Sequence, residues 1–274
     1  TRALNYHPSA LRSEDDGKTW SEPVQLINVG RGRPYQRMVS DGISKIYVAF
    51  TTGHPRNEKN NSVYYFYYEN GACYKADGTF IKKWKDLPVI HTEADLVYDG
   101  STNGRAWTWD LAIGTDGNPV VAHGVYPQEN DHRYYYARWN GAKWSSKEMT
   151  RVGRWFPETP KGAKEREPHY SPGYSLDHHD PSIVYLSKHI DEDTGQIEVQ
   201  RWKTQDGGES WTSKSITSGS DGLNVNPVGN WSFPYDSIPR QKMILWMNGR
   251  YRHYTDYSTG IRYWIEDEAN DEQE

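Results

Sequence analysis

The sequence predicts an all-β protein made of repeated antiparallel meanders, and three observations carry that expectation. First, short runs of β-branched and aromatic residues recur, among them Lys45-Ile46-Tyr47-Val48-Ala49-Phe50, Pro119-Val120-Val121-Ala122, Ser182-Ile183-Val184-Tyr185-Leu186 and Met243-Ile244-Leu245-Trp246-Met247. Second, turn-forming clusters such as Ser40-Asp41-Gly42, Glu69-Asn70-Gly71, Thr115-Asp116-Gly117-Asn118 and Trp139-Asn140-Gly141 separate them. Third, no segment repeats its apolar residues at helical spacing. Short strands punctuated by Asp, Asn and Gly are the pattern of a β-meander.

Composition narrows the class further. Hydrophobic residues make up only 35% of the 274, and mean hydropathy is -0.97. That alone would suggest disorder, but 12 Trp and 21 Tyr argue against it, because disordered chains are poor in aromatics. Large rings fill a core with few residues. No apolar run approaches the ~18 residues of a membrane helix, and a single cysteine, Cys73, excludes a disulfide scaffold. We expect Cys73 to be a buried thiol. Net charge is -5, with 32 basic against 37 acidic side chains and no basic stripe, so neither nucleic acid nor a membrane is an expected partner.

The elements fall into repeating units. Residues 1–29 supply a third and a fourth strand only. Four full units follow at roughly 33–98, 105–152, 167–217 and 222–265. Each opens with a first and second strand, as in Arg33-Pro34-Tyr35 to Phe50 or Arg105-Ala106-Trp107 to Ala122. A tyrosine-rich third strand and a short fourth strand complete each unit. Residues 1–265 thus form one domain, and the acidic stretch 266–274 is expected to be a disordered tail.

Two turns share a pattern. Ser13-Glu14-Asp15-Asp16-Gly17-Lys18-Thr19-Trp20 and Thr204-Gln205-Asp206-Gly207-Gly208-Glu209-Ser210-Trp211 both read Ser/Thr-x-Asp-x-Gly-x-Ser/Thr-Trp. The Asp can accept backbone N–H groups, the Gly can take a positive φ, and the Trp can plug the sheet. The pattern resembles the Asp-box, or BNR repeat, of sialidase-like β-propellers. Further stretches extend the likeness: Gly53-His54-Pro55-Arg56, Asn61-Ser62-Val63-Tyr64-Tyr65, Arg105-Ala106-Trp107-Thr108-Trp109-Asp110, Asp131-His132-Arg133-Tyr134-Tyr135-Tyr136 and Asp180-Pro181-Ser182-Ile183. Over residues 5 to 260 the chain resembles the BNR-4 group of propeller proteins.

That resemblance implies a β-propeller of four-stranded antiparallel blades, about 4.5 of them here. It implies a polysaccharide lyase resembling ulvan lyases, which cleave rhamnose–glucuronate linkages by β-elimination, in a secreted or periplasmic setting. Lyases of this kind are seven-bladed, so the resemblance points to N-terminal blades missing here, or to a second chain that completes the propeller. The expected partner is an acidic polysaccharide. The chemistry requires no cofactor.

Elimination needs a donor on the uronate carboxylate, a base, and an acid for the leaving oxygen. His, Tyr and Arg suit these roles, and Arg pairs bidentately with a carboxylate. His54, Arg56, His123 and Tyr35 are the candidate catalytic residues. His54 and Arg56 follow a strand ending at Phe50, and His123 follows a strand ending at Ala122, so the two histidines hold matching places in successive units. Candidate substrate-binding residues are Arg33, His7, His132, Arg133, Tyr170 and Tyr174. Asp177-His178-His179-Asp180 is expected to be a structural turn, with a calcium or zinc ion as the alternative. Two other functions compete with the lyase: a rhamnosidase- or sialidase-like hydrolase, and a carbohydrate-binding propeller without catalysis.

Overall fold

A computed structural model describes residues 6–128, 130–153, 162, 172–191, 195–229 and 242–266. Four antiparallel sheets follow one another along the chain. The second joins Arg105–Ile113, Pro119–Gln128, Asp131–Trp139 and Trp144–Gly153. The third joins Tyr174–Leu176, Ile183–Asp191, Gln196–Lys203 and Thr212–Ser215. Both have the four strands the repeat predicts. The fourth has three strands among the described residues: Leu223–Gly229, Met243–His253 and Asp256–Ile265.

The first sheet departs from the simple repeat. Gln36–Ser40, Lys45–Thr51 and Val63–Glu69 are its first three strands. Two segments share the next position: Ala72–Tyr74 pairs with Tyr67 to Glu69, and Asp95–Tyr98 pairs with Val63 to Tyr65. The third strand is too long for the three-residue hairpin partner to cover, and the chain returns to cover the rest. Before this sheet, Ser9–Ala10 pairs with Val24–Gln25, and Ile27–Asn28 runs parallel to Val89–Ile90. That parallel pair joins the N-terminal piece to the first sheet.

Strand alternation assigns each side chain to one of two inter-sheet cores. In Pro119–Gln128, Val121 and Val125 pack toward the first sheet with Tyr47, Tyr65 and Ala106. Val120 and Ala122 pack toward the third with Tyr174, Leu176 and Val184. A third core of Ile183, Tyr185, Val199, Ile244 and Trp246 joins the last two sheets. Tyr65, Tyr126, Tyr134, Tyr136 and Tyr185 are fully buried, and burial of a side chain of this size contributes about 1.5–3 kcal/mol. These rings explain how a chain so poor in aliphatics folds. Cys73 lies in the core beside the N-terminal piece, and burial pushes its thiol up to about 11.

The first strands of successive sheets lie next to one another: Gln36–Ser40 beside Arg105–Ile113, that beside Tyr174–Leu176, and that beside Leu223–Gly229. They form an inner wall, with the later strands stepping outward. No helix among the described residues is long and apolar enough to cross a membrane.

The two Asp-Gly turns share one hydrogen-bond network. Asp15 accepts the Thr19 N–H at 2.8 Å and the Thr19 hydroxyl at 2.6 Å, and Ser13 Oγ accepts the Gly17 N–H at 2.8 Å. Asp206 accepts the Ser210 N–H at 2.9 Å and its hydroxyl at 2.5 Å, and Thr204 Oγ1 accepts the Gly208 N–H at 2.9 Å. The bonds from Thr19 and Ser210 hold both carboxyls below the ordinary range. The tryptophans differ. Trp211 packs edge-on against Tyr136 of the second sheet at 5.2 Å, whereas Trp20 is 61% exposed.

Candidate functional site

Three segments meet at one end of the inner wall. The connector carrying Arg33 and Tyr35 passes so close to the loop after Lys45–Thr51 that a Cβ on Gly32 would lie 1.9 Å from the Thr52 carbonyl oxygen. Only glycine permits that approach. The loop itself is fixed by Asn61, which is fully buried. Its side chain accepts from the Gly53 N–H at 2.7 Å and donates to the Gly53 and Ala106 carbonyls at 2.9 and 2.6 Å. Arg105 Nη1 donates to the Pro55 carbonyl at 2.9 Å, so the loop is also tied to the start of the second sheet.

Held this way, His54 meets Tyr35 and Trp107. Ring centroids are 5.4 Å apart for Tyr35–His54, 5.4 Å for Tyr35–Trp107 and 4.8 Å for His54–Trp107. All three side chains are half-buried. His54 Nδ1 accepts the Arg56 backbone N–H at 3.1 Å, so the neutral ring carries its proton on Nε2. Arg56 itself is exposed. Arg33 is exposed as well, with its guanidinium 4.2 Å above the Tyr6 ring.

From Trp107 the aromatic series continues along the wall to Trp109 at 5.9 Å and Tyr174 at 6.2 Å. A cavity of about 220 Å³ opens here between the inner strands of all four sheets, with Arg37, Trp109, Asp110, Tyr174, Ser175 and Asn226 among its lining residues. Consecutive residues face it because the strands are irregular. Pairing shifts between Thr108 and Asp110, and again between Val225 and Val228, where Asn226 has φ of 56°. Such bulges break the two-residue alternation and re-aim side chains.

Asp110 is buried and saturated. It accepts from the Leu111 N–H at 2.8 Å, the Leu176 N–H at 3.0 Å and the Ser175 hydroxyl at 3.1 Å, with His178 Nε2 at 3.2 Å. It therefore locks the second sheet to the third. The neighbouring Asp177 accepts the N–H groups of His179 and Asp180 at 2.8 and 3.1 Å and the Tyr185 hydroxyl at 3.2 Å. Among the described residues, no three His, Cys, Asp or Glu side chains converge as a metal centre.

The other sequence candidates lie elsewhere. The strand expected to end at Ala122 runs on to Gln128, so His123 is not at a strand end. It is 0% exposed, its Nε2 is 2.9 Å from Ser146 Oγ, and it packs on Tyr98 and Tyr135 at 4.8 and 5.4 Å. His132 is also fully buried, against Tyr126 at 4.5 Å and Tyr134 at 5.2 Å. Burial brings both imidazoles down to about 3, so they are neutral core rings. The Arg133 fork is engaged by Asp131 at 2.7 Å and Glu148 at 2.8 Å, which hold its pKa above the usual arginine value. His7 is buried in the N-terminal piece. Tyr174 lines the cavity, but its hydroxyl donates to the Tyr135 carbonyl at 3.0 Å and burial raises its pKa. Tyr170, its neighbour His169 and residues 267–274 lie outside the described residues.

Of the candidates read from the sequence, then, Tyr35 and His54 come together, with Arg33 and Arg56 exposed nearby in sequence. Sequence reasoning missed Trp107, Trp109, Arg37 and Asn226. One signal was available for Arg37: in an extended strand it shares a face with Tyr35 two residues earlier.

A family model described as BNR repeat-containing family member matches residues 6–152. No curated protein matches the chain in sequence. Among solved structures, a PL25 ulvan lyase bound to -[GlcA(1-4)Rha3S]- is 16% identical with a TM-score of 0.62, over 94% of this chain and 58% of that one. Polysaccharide lyase Uly1 is 12% identical with a TM-score of 0.51, over 93% and 51%. The Hadza microbial sialidase Hz136 is 10% identical with a TM-score of 0.50, over 87% and 46%. The chain thus spans about half the length of the solved structures it matches. At such identities the likeness carries the fold, which is that of a blade-built β-propeller.

Proposed function

The chain belongs to the BNR repeat-containing family, and from that premise we propose that it is a carbohydrate-active propeller protein: a lyase that cleaves a uronate-bearing, ulvan-like polysaccharide by β-elimination. One observation carries this reading. Tyr35, His54 and Trp107 converge at the rim of the inner wall, half-exposed and held by a rigid loop. Elimination takes the C5 proton of the uronate, forms a C4–C5 double bond and expels the C4 oxygen, which takes up a proton. Once its hydroxyl proton has passed to solvent, the Tyr35 phenolate is suited to accept the C5 proton, and the hydroxyl so formed returns it to the leaving oxygen. The His54 Nε2–H is a donor for the carboxylate, whose developing enolate charge it stabilises. Arg56 can add its guanidinium to that carboxylate, and Trp107 offers a stacking face. The resemblance also supports a secreted or periplasmic setting.

The test is direct. Purified chain is incubated with ulvan, and the unsaturated uronate is followed by its near-ultraviolet absorbance. Tyr35→Phe and His54→Ala should each remove the signal while leaving the melting temperature unchanged. Depolymerisation without that absorbance would replace the lyase by a hydrolase. A second reading, a carbohydrate-binding propeller without catalysis, draws on the aromatic series Tyr35–Trp107–Trp109–Tyr174. It predicts saturable binding with no cleavage.

A further inference from the structure

The cavity below the rim contains a guanidinium whose donors no described side chain engages. Arg37 stands on the innermost strand of the first sheet, paired across to Ala49, and lines the 220 Å³ space. It is exposed, and among the described residues its side chain makes no hydrogen bond or ion pair. The acid in the same cavity, Asp110, does not engage its donors, because four other donors already occupy both carboxylate oxygens. Ser175 gives its hydroxyl proton to Asp110, and Tyr174 gives its own to the Tyr135 carbonyl. What the cavity offers a ligand is therefore a guanidinium, the Trp109 ring, and the Asn226 amide carried on a bulge at φ 56°.

Those three groups define a ligand. A guanidinium fork selects a planar oxyanion with two acceptor oxygens, which a carboxylate supplies. An indole face beside it selects a flat, partly apolar ring. A primary amide suits vicinal hydroxyls, since it both donates and accepts. The space is below the ~300 Å³ at which pockets begin to enclose drug-sized ligands, so it suits one sugar ring and not a longer stretch. We propose that this cavity is an acid-sugar subsite in which Arg37 pairs with the carboxylate of a single hexuronate ring while Trp109 stacks on its face and Asn226 engages its hydroxyls. It rests on the carbohydrate reading above, though not on elimination, because it assigns recognition and not bond cleavage. Arg37 is thereby a specificity-determining residue, separate from the Tyr35–His54 pair at the rim.

Calorimetric titration of the full chain tests this with three probes: a glucuronate–rhamnose oligosaccharide, the same oligosaccharide with its carboxyls reduced to alcohols, and its rhamnose-sulfated form. Arg37→Ala should weaken binding of the first by about tenfold or more, the range of a charge-assisted pair, and leave the carboxyl-reduced probe unchanged. Arg37→Lys should recover part of the loss, and the sulfated probe should lose as much as the unsulfated one. Far-ultraviolet dichroism and melting of the variants should match the parent. Equal loss for carboxylated and reduced probes, or no loss for either, overturns the proposal. So does a loss confined to the sulfated probe, which would make the anion a sulfate ester. Arg37-dependent binding with no near-ultraviolet product sustains the subsite and removes the lyase. A chain that binds none of the probes removes both.

Discussion

His54 and His123 hold matching places in two successive sheets, yet one faces the rim and the other is sealed in a core. The contrast comes from strand length. Lys45–Thr51 ends three residues before His54, so the histidine rides on a loop that Asn61 fixes against the second sheet. Pro119–Gln128 instead continues five residues past His123, pairing with both neighbours as far as Val125. An imidazole in mid-strand, between the first and second sheets, can only pack. It meets Tyr98, Tyr135 and Ser146 and loses its basicity. The same residue type is thus a candidate hydrogen-bond donor to substrate in one sheet and a polar core ring in the next.

Substitutions should separate the two regions. The largest effect is expected at the rim, where His54→Ala should lower turnover of a uronate polymer by about 100-fold or more, the usual contribution of a donor to a developing oxyanion. Its melting temperature should barely move. His123→Ala and His132→Ala should reverse that profile, costing about 2–4 kcal/mol of stability as buried rings are cut away, measured by chemical denaturation. Comparable stability losses at His54 would erase the distinction between rim and core.

Acid should act on the core pair next. Both rings stay neutral in the folded protein down to about 3, against 6.5 in an unfolded chain. The unfolded state therefore binds more protons between those values. Stability is complete above pH 6.5 and falls as pH drops, by roughly 1.4 kcal/mol per pH unit for each ring. Denaturation midpoints at pH 7, 5.5 and 4 should follow that decline, and His132→Phe should flatten it. A slope unaffected by the substitution would place the acid sensitivity elsewhere.

The Asp-Gly turns repeat the contrast on a smaller scale. Trp211→Ala should cost about 3 kcal/mol because its ring packs on Tyr136, whereas Trp20→Ala, at an exposed ring, should cost less than about 0.5 kcal/mol. An effect between these two is expected at Ser146→Ala. Loss of its contact with His123 should cost about 1 kcal/mol, with no change in turnover.

Much of the architecture was legible in advance. The Asp, Gly and Ser/Thr positions of the two Asp-Gly turns read correctly because every bond in them is local, made within five residues by side chains whose geometry the spacing dictates, whereas the expected plug fails at the exposed Trp20. The two middle sheets have their four strands for the same reason: turn residues mark each reversal. The first sheet was harder, since Asp95–Tyr98 returns from far along the chain to pair with Val63 to Tyr65, and no local signal encodes that pairing. Arg133 was read as a sugar contact, but its acidic partners, Asp131 and Glu148, are brought to it by strand register.

By itself, the sequence determined the all-β class, the repeat and the aromatic core, because composition and two-residue alternation are properties of short segments. Tertiary structure decided which polar residues reach the inner wall. That choice depends on where each strand stops pairing and where a bulge reverses its phase, as at Trp109 and Asn226. A shift of one residue moves a side chain from the core to the cavity. The partners that set the shift come from different sheets, and so Arg37 and Trp109 became neighbours only in the folded chain.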